Sequence, residues 1–239
     1  MNIKKALETK SGIASGIYLN DIDIDPLTIR AIMINEVVPA DPVQDFYGGP
    51  DADYLKTTIP LLQGAGAEVT SIQDALRMGI YITNAVKTPK TEYAIDKSSI
   101  EKSLPYLEEE LALFPNIKVI MLMGDVAKKA FNMITKKATK KNAIPAVSTY
   151  KLRSSEIYYE GIRVMPSYIM TGGNILIEKS KVTMATEDIA TIIEAQSPVF
   201  PRPKRSRCRS SQGINDTPTP FSASNYCLPV LPIASMSLS

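Results

Sequence analysis

Histidine is absent from all 239 residues, which excludes Ser-His-Asp triads, His-ligated zinc and imidazole acid-base chemistry. Any catalysis must run on carboxylates, amides, hydroxyls, lysines or backbone dipoles. Five short stretches carry such groups in order: Asn35-Glu36-Val37-Val38-Pro39, Tyr47-Gly48-Gly49-Pro50, Tyr81-Ile82-Thr83-Asn84-Ala85-Val86-Lys87, Val119-Ile120-Met121-Leu122-Met123-Gly124 and Met165-Pro166-Ser167-Tyr168. The first holds a carboxylate, Glu36. The second follows Phe46 with a second aromatic and two glycines, which suggest a close backbone approach, a positive φ or a plain tight turn. Asn84 in the third is an amide, able to donate and accept on one edge. In the last, Ser167 offers a hydroxyl, while the thioether of Met165 can donate no hydrogen bond.

Positioning these groups falls to an alternation of apolar runs and helical patterns. Ile29 to Ile34, Gly79 to Thr83 and Ile117 to Leu122 read as buried strands. Between the last two, Ile100, Leu104, Leu107, Leu111 and Phe114 recur at steps of four and three, predicting a helix capped by Ser98 or Ser99. Asp51 is placed to open a helix after the first strand, and Asp125 one after Gly124. Ile157-Tyr158-Tyr159 and Ile162-Arg163-Val164 flank Glu160-Gly161, which predicts a hairpin leading into a final strand. Thr183 to Gln196 reads as a closing amphipathic helix. Strands alternating with helices imply a parallel sheet covered on both faces, and the five stretches fall at its predicted strand ends, where sites form in such sheets.

With 44% apolar residues, the chain can bury one sizeable core. Its start, Met1 to Lys5, does not read as a signal peptide, no stretch has the length to span a bilayer, and the only cysteines, Cys208 and Cys227, sit near the end. A soluble, cytoplasmic protein without membrane association is therefore expected. Composition changes near Pro198. Residues 1–199 form the expected domain, with a net charge of −2. Residues 200–239, rich in Ser and Pro, with Arg202, Lys204, Arg205, Arg207 and Arg209 against Asp216, are expected to be a disordered basic tail.

Taken together, the five stretches resemble the uracil-DNA glycosylases. The likeness covers residues 28 to 175, with weaker support to 196, and is greatest to the bacterial and archaeal group that carries an iron-sulphur cluster. The cluster cysteines are missing here, so neither metal nor cofactor is expected. The fold implied is a three-layer α/β/α sandwich around a four-stranded parallel sheet. Val119 to Gly124, with Asp125-Val126-Ala127, matches the family's strand-to-helix turn, a structural feature.

The resemblance implies hydrolysis of the N-glycosidic bond of uracil in DNA by base flipping, as in base-excision repair. Glu36, in the family's acidic position, is then the group that stabilises positive charge on the sugar and orients a water. Asn84 corresponds to the amide that reads N3–H and O4 of uracil and rejects cytosine. Tyr47, with Phe46 as its rival, becomes the aromatic floor under the base. Met165 stands where the family has a His that hydrogen-bonds uracil O2, so Ser167, Asn174 or a backbone N–H must substitute, or activity falls. Ser167 is also a candidate phosphate contact, and Tyr168-Ile169-Met170 the apolar wedge that fills the vacated stack. Gly172-Gly173-Asn174 can present N–H groups to phosphate. Of the cations Lys87, Lys136, Lys137, Lys140, Lys141, Lys151 and Arg153, Lys87 and the 136–141 cluster are the candidates for a DNA groove. The expected partner is uracil-containing DNA and the expected state a monomer. Two rivals stand beside this reading: a weak or inactive descendant that binds nucleic acid or a free base, and a hydrolase acting on another base or a nucleotide.

Overall fold

The computed structural model describes residues 1–196, apart from 13, 93 and 173 and the side chains of 174 and 176. In chain order the elements are α1 (Ile3–Ser11), β1 (Ala31–Val38), α2 (Asp53–Gly64), α3 (Ile72–Arg77), β2 (Ile80–Pro89), α4 (Lys97–Ala112), β3 (Val119–Met123), α5 (Asp125–Thr139), α6 (Thr149–Leu152), β4 (Ile157–Tyr159), β5 (Ile162–Ser167), α7 (Asn174–Ile177) and α8 (Lys179–Gln196). The tail expected from residue 200 lies outside the described residues.

The strands form one sheet in the order β2-β1-β3-β5-β4. β1, β2, β3 and β5 run parallel, as expected, and β4 adds an antiparallel edge strand, so the sheet has five strands rather than four. The β4–β5 hairpin turns at Glu160 and Gly161, both at positive φ (51° and 79°). That is the backbone of a type I′ turn, whose twist matches the strands it joins.

Alternation along the strands sorts the core into two layers. Ala31, Met33, Ile80, Ile82, Met121 and Met165 face α2, α3, α7 and α8. Ile32, Ile34, Tyr81, Ile120, Leu122 and Val164 face α1, α4, α5 and α6. A buried side chain of this size contributes roughly 1.5–3 kcal/mol, so the helix-covered faces are mainly apolar, and a polar side chain is tolerated there only where it is partnered. The result is the three-layer α/β/α sandwich.

Local signals set the helix starts with some shifts. α4 is capped by Asp96, whose carboxylate accepts from Ser99 N–H at 2.6 Å, rather than by Ser98 or Ser99; a carboxylate at that end also complements the helix dipole. α2 begins at Asp53 with Ala52 before it, two residues beyond the expected Asp51. α8 starts at Lys179, a turn earlier than predicted. β1 and β2 are the elements that differ most from expectation. β1 continues through Asn35, Glu36 and Val37, and β2 runs the ten residues Ile80–Pro89, which puts Asn84 and Lys87 inside a strand rather than beyond its end.

Candidate active site

A cleft of about 1070 Å³ opens where β1, β3 and β5 end, the edge at which parallel α/β sheets hold their sites. Glu36 lines it from β1. Its Oε1 accepts a hydrogen bond from Val126 N–H at 3.0 Å, in the first turn of α5. Burial raises the Glu36 carboxyl above the ordinary carboxylate range; the N–H groups of Val126 and Asp125 and the charge of Lys90 oppose that, and the charge of Asp125 adds to it. Gly124 makes the seat possible. At φ +98°, a Cβ there would lie 2.3 Å from Glu36 Oε1 and 2.6 Å from Ile169 Cγ1, so only glycine fits between carboxylate and strand end.

Beside Glu36, Asn35 projects to the opposite side of β1 and also lines the cleft, with Tyr54 from α2 and Thr171 from the loop after β5. Thr171 Oγ1 donates to Asn35 Oδ1 at 3.2 Å, and the Tyr54 hydroxyl donates to the Val37 carbonyl at 3.0 Å. Burial pushes the Tyr54 phenol up to about 12, so it stays a donor at neutral pH. Asn35 sits in the first quoted stretch, one place before the residue that the resemblance singled out; its pairing with Asn84 across parallel strands is the signal that only the register reveals.

Asn84 does not reach the cleft. It is 2% exposed; its Oδ1 accepts from Asn35 Nδ2 at 2.8 Å, and its own Nδ2 donates to Asp45 at 2.7 Å. Both ends of the expected reading amide are thus occupied, because β2 carries it under the β1–α2 loop. Tyr47 is likewise turned inward: its ring stacks on Tyr81 at 6.0 Å and its hydroxyl accepts from Ile82 N–H at 3.1 Å. Phe46 is buried in the core against Tyr54. The aromatic rings that do line the cleft belong to Tyr54, Tyr150 and Tyr168. Gly48, meanwhile, answers to close packing, since a Cβ there would fall 1.9 Å from the Val43 carbonyl oxygen.

Lys87 is not on the surface either. It is buried on the opposite face of β2, paired with Glu110 of α4 and donating to Thr83 Oγ1 at 2.6 Å. Tyr81 and Thr83 also donate to Glu110, at 2.5 Å and 2.9 Å. This fully partnered network ties α4 to the sheet, and a buried lysine so held cannot meet DNA phosphates.

From β5, Met165 is 7% exposed and packs in the core beside Met121, away from the cleft lining. Ser167 lies at the cleft's base but is fully buried, its hydroxyl donating to Asp188 of α8 at 2.5 Å. Asp188 is held in turn by Arg153 Nε at 3.0 and 2.9 Å, which accounts for Arg153 structurally. Of the expected wedge, Tyr168 and Ile169 line the cleft, whereas Met170 is core. Gly172 lines the cleft too; Gly173 and the Asn174 side chain lie outside the described residues.

The cations at the cleft are Lys90, Lys128 and Lys181. Lys128 bonds Thr149 Oγ1 at 2.8 Å and Asp125 at 2.6 Å, and Lys181 pairs with Glu178 at 2.8 Å. A shallower basin of about 380 Å³ adjoins it along α5, lined by Lys128, Lys129 and Lys136. Lys137 is paired with Glu108 at 2.9 Å. Among the described residues no group of three acidic, Cys or His side chains is placed to hold a metal ion, and no helix is long and apolar enough to cross a membrane.

A sequence model of the uracil DNA glycosylase superfamily matches residues 47–185, more than half of the chain. The matched segment takes in Asn84, Gly124, Met165 and Ser167; Asn35 and Glu36 precede it, and β1 sets Asn35 opposite Asn84 of β2 while Glu36 reaches the first turn of α5. A search among curated proteins finds no match to the chain.

Proposed function

Because the chain belongs to the uracil DNA glycosylase superfamily, whose members are N-glycosyl hydrolases acting on bases in DNA, we propose that it hydrolyses the N-glycosidic bond of uracil in DNA during base-excision repair. The observation that carries this is Glu36. A carboxylate fixed by the first turn of α5, on the wall of a cleft large enough for a flipped nucleotide, is what an oxocarbenium-like transition state requires. As the bond to the base lengthens, Glu36 stabilises positive charge on the sugar and orients the attacking water. The flipped base stacks on a cleft tyrosine, Tyr54 or Tyr168, an interaction of about 1–3 kcal/mol per base. Asn35, not Asn84, is the amide that meets it. The hydroxyls of Tyr54 and Thr171 are the neutral donors near that amide; turning from its present acceptor, the Val37 carbonyl or Asn35 Oδ1, one of them replaces the hydrogen bond that a residue at 165 would give in the family.

A second reading, a weak or inactive glycosylase-like protein that binds nucleic acid or a base, is favoured by one observation: neither Met165 nor Ser167 offers a donor to the cleft. An oligonucleotide carrying one uracil and a fluorophore, incubated with protein and then alkali, separates the two. Cleavage that disappears in Glu36→Ala supports the glycosylase. Binding without cleavage at high protein concentration supports the second reading.

A further inference from the structure

A single file of hydrogen bonds runs from the half-buried Asp45 through two buried amides to the cleft. Asp45, in the β1–α2 loop, accepts Phe46 N–H on Oδ1 at 2.9 Å and Asn84 Nδ2 on Oδ2 at 2.7 Å. Asn84 Oδ1 accepts from Asn35 Nδ2 at 2.8 Å. That nitrogen also lies 3.4 Å from the Val37 carbonyl, so the end of Asn35 left toward the cleft is Oδ1, beside Thr171. Both amides are essentially buried, at 1% and 2% exposed, and the β1–β2 register sets them side by side.

An asparagine amide by itself has no preferred direction, since exchanging its oxygen and nitrogen leaves the shape unchanged. The carboxylate removes that freedom. An ionised Asp45 has acceptors only, so Asn84 must turn its NH₂ inward and its oxygen toward Asn35. Asn35 must then turn its NH₂ to Asn84 and its oxygen outward. Reversing either amide alone would set NH₂ against NH₂ or oxygen against oxygen in a buried site, where an unmatched polar group is costly.

We propose that Asp45 is a positioning residue which, acting through Asn84, holds Asn35 Oδ1 toward the cleft as an acceptor for the ring N–H of a lactam base. This deepens the glycosylase reading and rests on it. An outward acceptor matches N3–H of uracil, and a bare ring nitrogen, as at N3 of cytosine, is refused. The discrimination thus originates three side chains away from the base, at a carboxylate that never touches it.

The substitution Asp45→Asn tests the file because it reverses the direction imposed on Asn84, and through it on Asn35, against only the long 3.4 Å contact of Asn35 Nδ2 with the Val37 carbonyl. Phe46 N–H needs an acceptor, so the new amide must turn its oxygen there and its NH₂ toward Asn84. Asn84 and Asn35 then both reverse, and Asn35 presents a donor. The ionisable groups around Asp45 are Tyr47 on its own loop and Tyr54 of α2, with Lys87 and Glu110 acting through their charge from the other face of β2. Lys87 and Glu110 are paired with each other, so removing the Asp45 charge leaves no new uncompensated charge beside it. Burial raises the Asp45 carboxyl above its ordinary range, so in the wild type the same reversal becomes available on acidification, and in Asp45→Asn discrimination ceases to depend on pH through this group.

The readout is the ratio of affinities for two otherwise identical single-stranded oligonucleotides, one with uracil and one with cytosine, by fluorescence anisotropy across pH, with Glu36→Gln in both proteins compared so that the uracil stays attached. We expect the uracil preference to fall about 10- to 100-fold in Asp45→Asn and to lose its acid dependence. An unchanged ratio in a folded variant overturns the proposal. Should that variant fail to fold, the wild-type protein suffices: a coupling across the hydrogen bond from Asn35 ¹⁵Nδ2 to Asn84 ¹³Cγ is expected by NMR, and a coupling in the reverse direction overturns the file. Absence of both cleavage and oligonucleotide binding in the wild type, with the Asn35-to-Asn84 coupling present, rejects the glycosylase reading and with it the base-recognition role of Asp45, while leaving the direction of the file established.

Discussion

Replacing Glu36 by Gln separates what this side chain does for the fold from what it does for the reaction. In the native protein Oε1 accepts Val126 N–H at 3.0 Å; the glutamine carbonyl oxygen can keep that bond, so the first turn of α5 and the approach at Gly124 are retained. Only the charge is lost. Removing one preorganised group aimed at transition-state charge typically lowers rate by about 10²–10³, and that fall in single-turnover cleavage of a uracil oligonucleotide is expected here. For stability the sign is opposite. Because burial raises the Glu36 carboxyl in the folded protein, its favourable contribution is present below the unfolded-state pKa and is lost as pH rises through the folded one. At neutral pH the ionised form is therefore disfavoured by folding, and Glu36→Gln should melt no lower than wild type. Glu36→Ala also removes the acceptor for Val126, a loss of about 0.5–2 kcal/mol for a helix-start bond, or a few degrees in a domain of this size. The wild-type cleavage rate should decline as pH falls through the raised Glu36 pKa, at higher pH than for an exposed glutamate. A Glu36→Gln protein that retains cleavage within threefold, or that melts several degrees lower, would refute this assignment.

Three further outcomes follow from where the structure places other residues. Lys87→Met strips Glu110 of its buried counter-charge, which costs about 3–5 kcal/mol; thermal melts should drop markedly while the salt dependence of DNA binding stays unchanged, because Lys87 touches no surface. Met165→His, which restores the side chain found in the family, should destabilise by about 1–3 kcal/mol through burying an imidazole among apolar neighbours, without raising the cleavage rate; a tenfold gain would show that position 165 reaches the base after all. If duplex DNA follows the lysines lining the basin on α5, Lys129→Gln with Lys136→Gln should reduce the slope of log K against log salt by up to about 2, since each released phosphate contact is worth about 0.9. Melts should not move, as both residues are exposed.

The parallel sandwich was legible because apolar runs, turn residues and a 3.6-residue period report burial directly: α4 and the β4–β5 hairpin lie where the sequence put them, and the closing helix ends there after starting one turn earlier. The superfamily was legible as well, because ordered short stretches survive even where single residues change. Of the residues the sequence singled out, Glu36, Ser167, Tyr168, Ile169 and Gly172 line the cleft. The polar residues that turn away from the cleft share one physical cause. Thr83, Asn84 and Lys87 are polar, and polarity after an apolar run reads as a strand giving way to a loop. β2 nevertheless continues to Pro89 because each polar group meets a partner contributed from far along the chain: Glu110 for Thr83 and Lys87, Asp45 and Asn35 for Asn84. Ser167 is hidden in the same way by Asp188. Hydrophobic period carries no record of such pairings: Glu110, three residues after Leu107 on the buried side of α4, reads in the sequence only as a charge beside the apolar stripe. A buried polar group is tolerated only when satisfied, so the partner decides whether a polar strand residue points into a site or into the protein. Once the register pairs Asn35 with Asn84, the same rule identifies which of the two can meet a ligand: Asn35, whose oxygen is bonded to a hydroxyl that itself lines the cleft, and not Asn84, whose two ends are taken by Asn35 and Asp45 away from it.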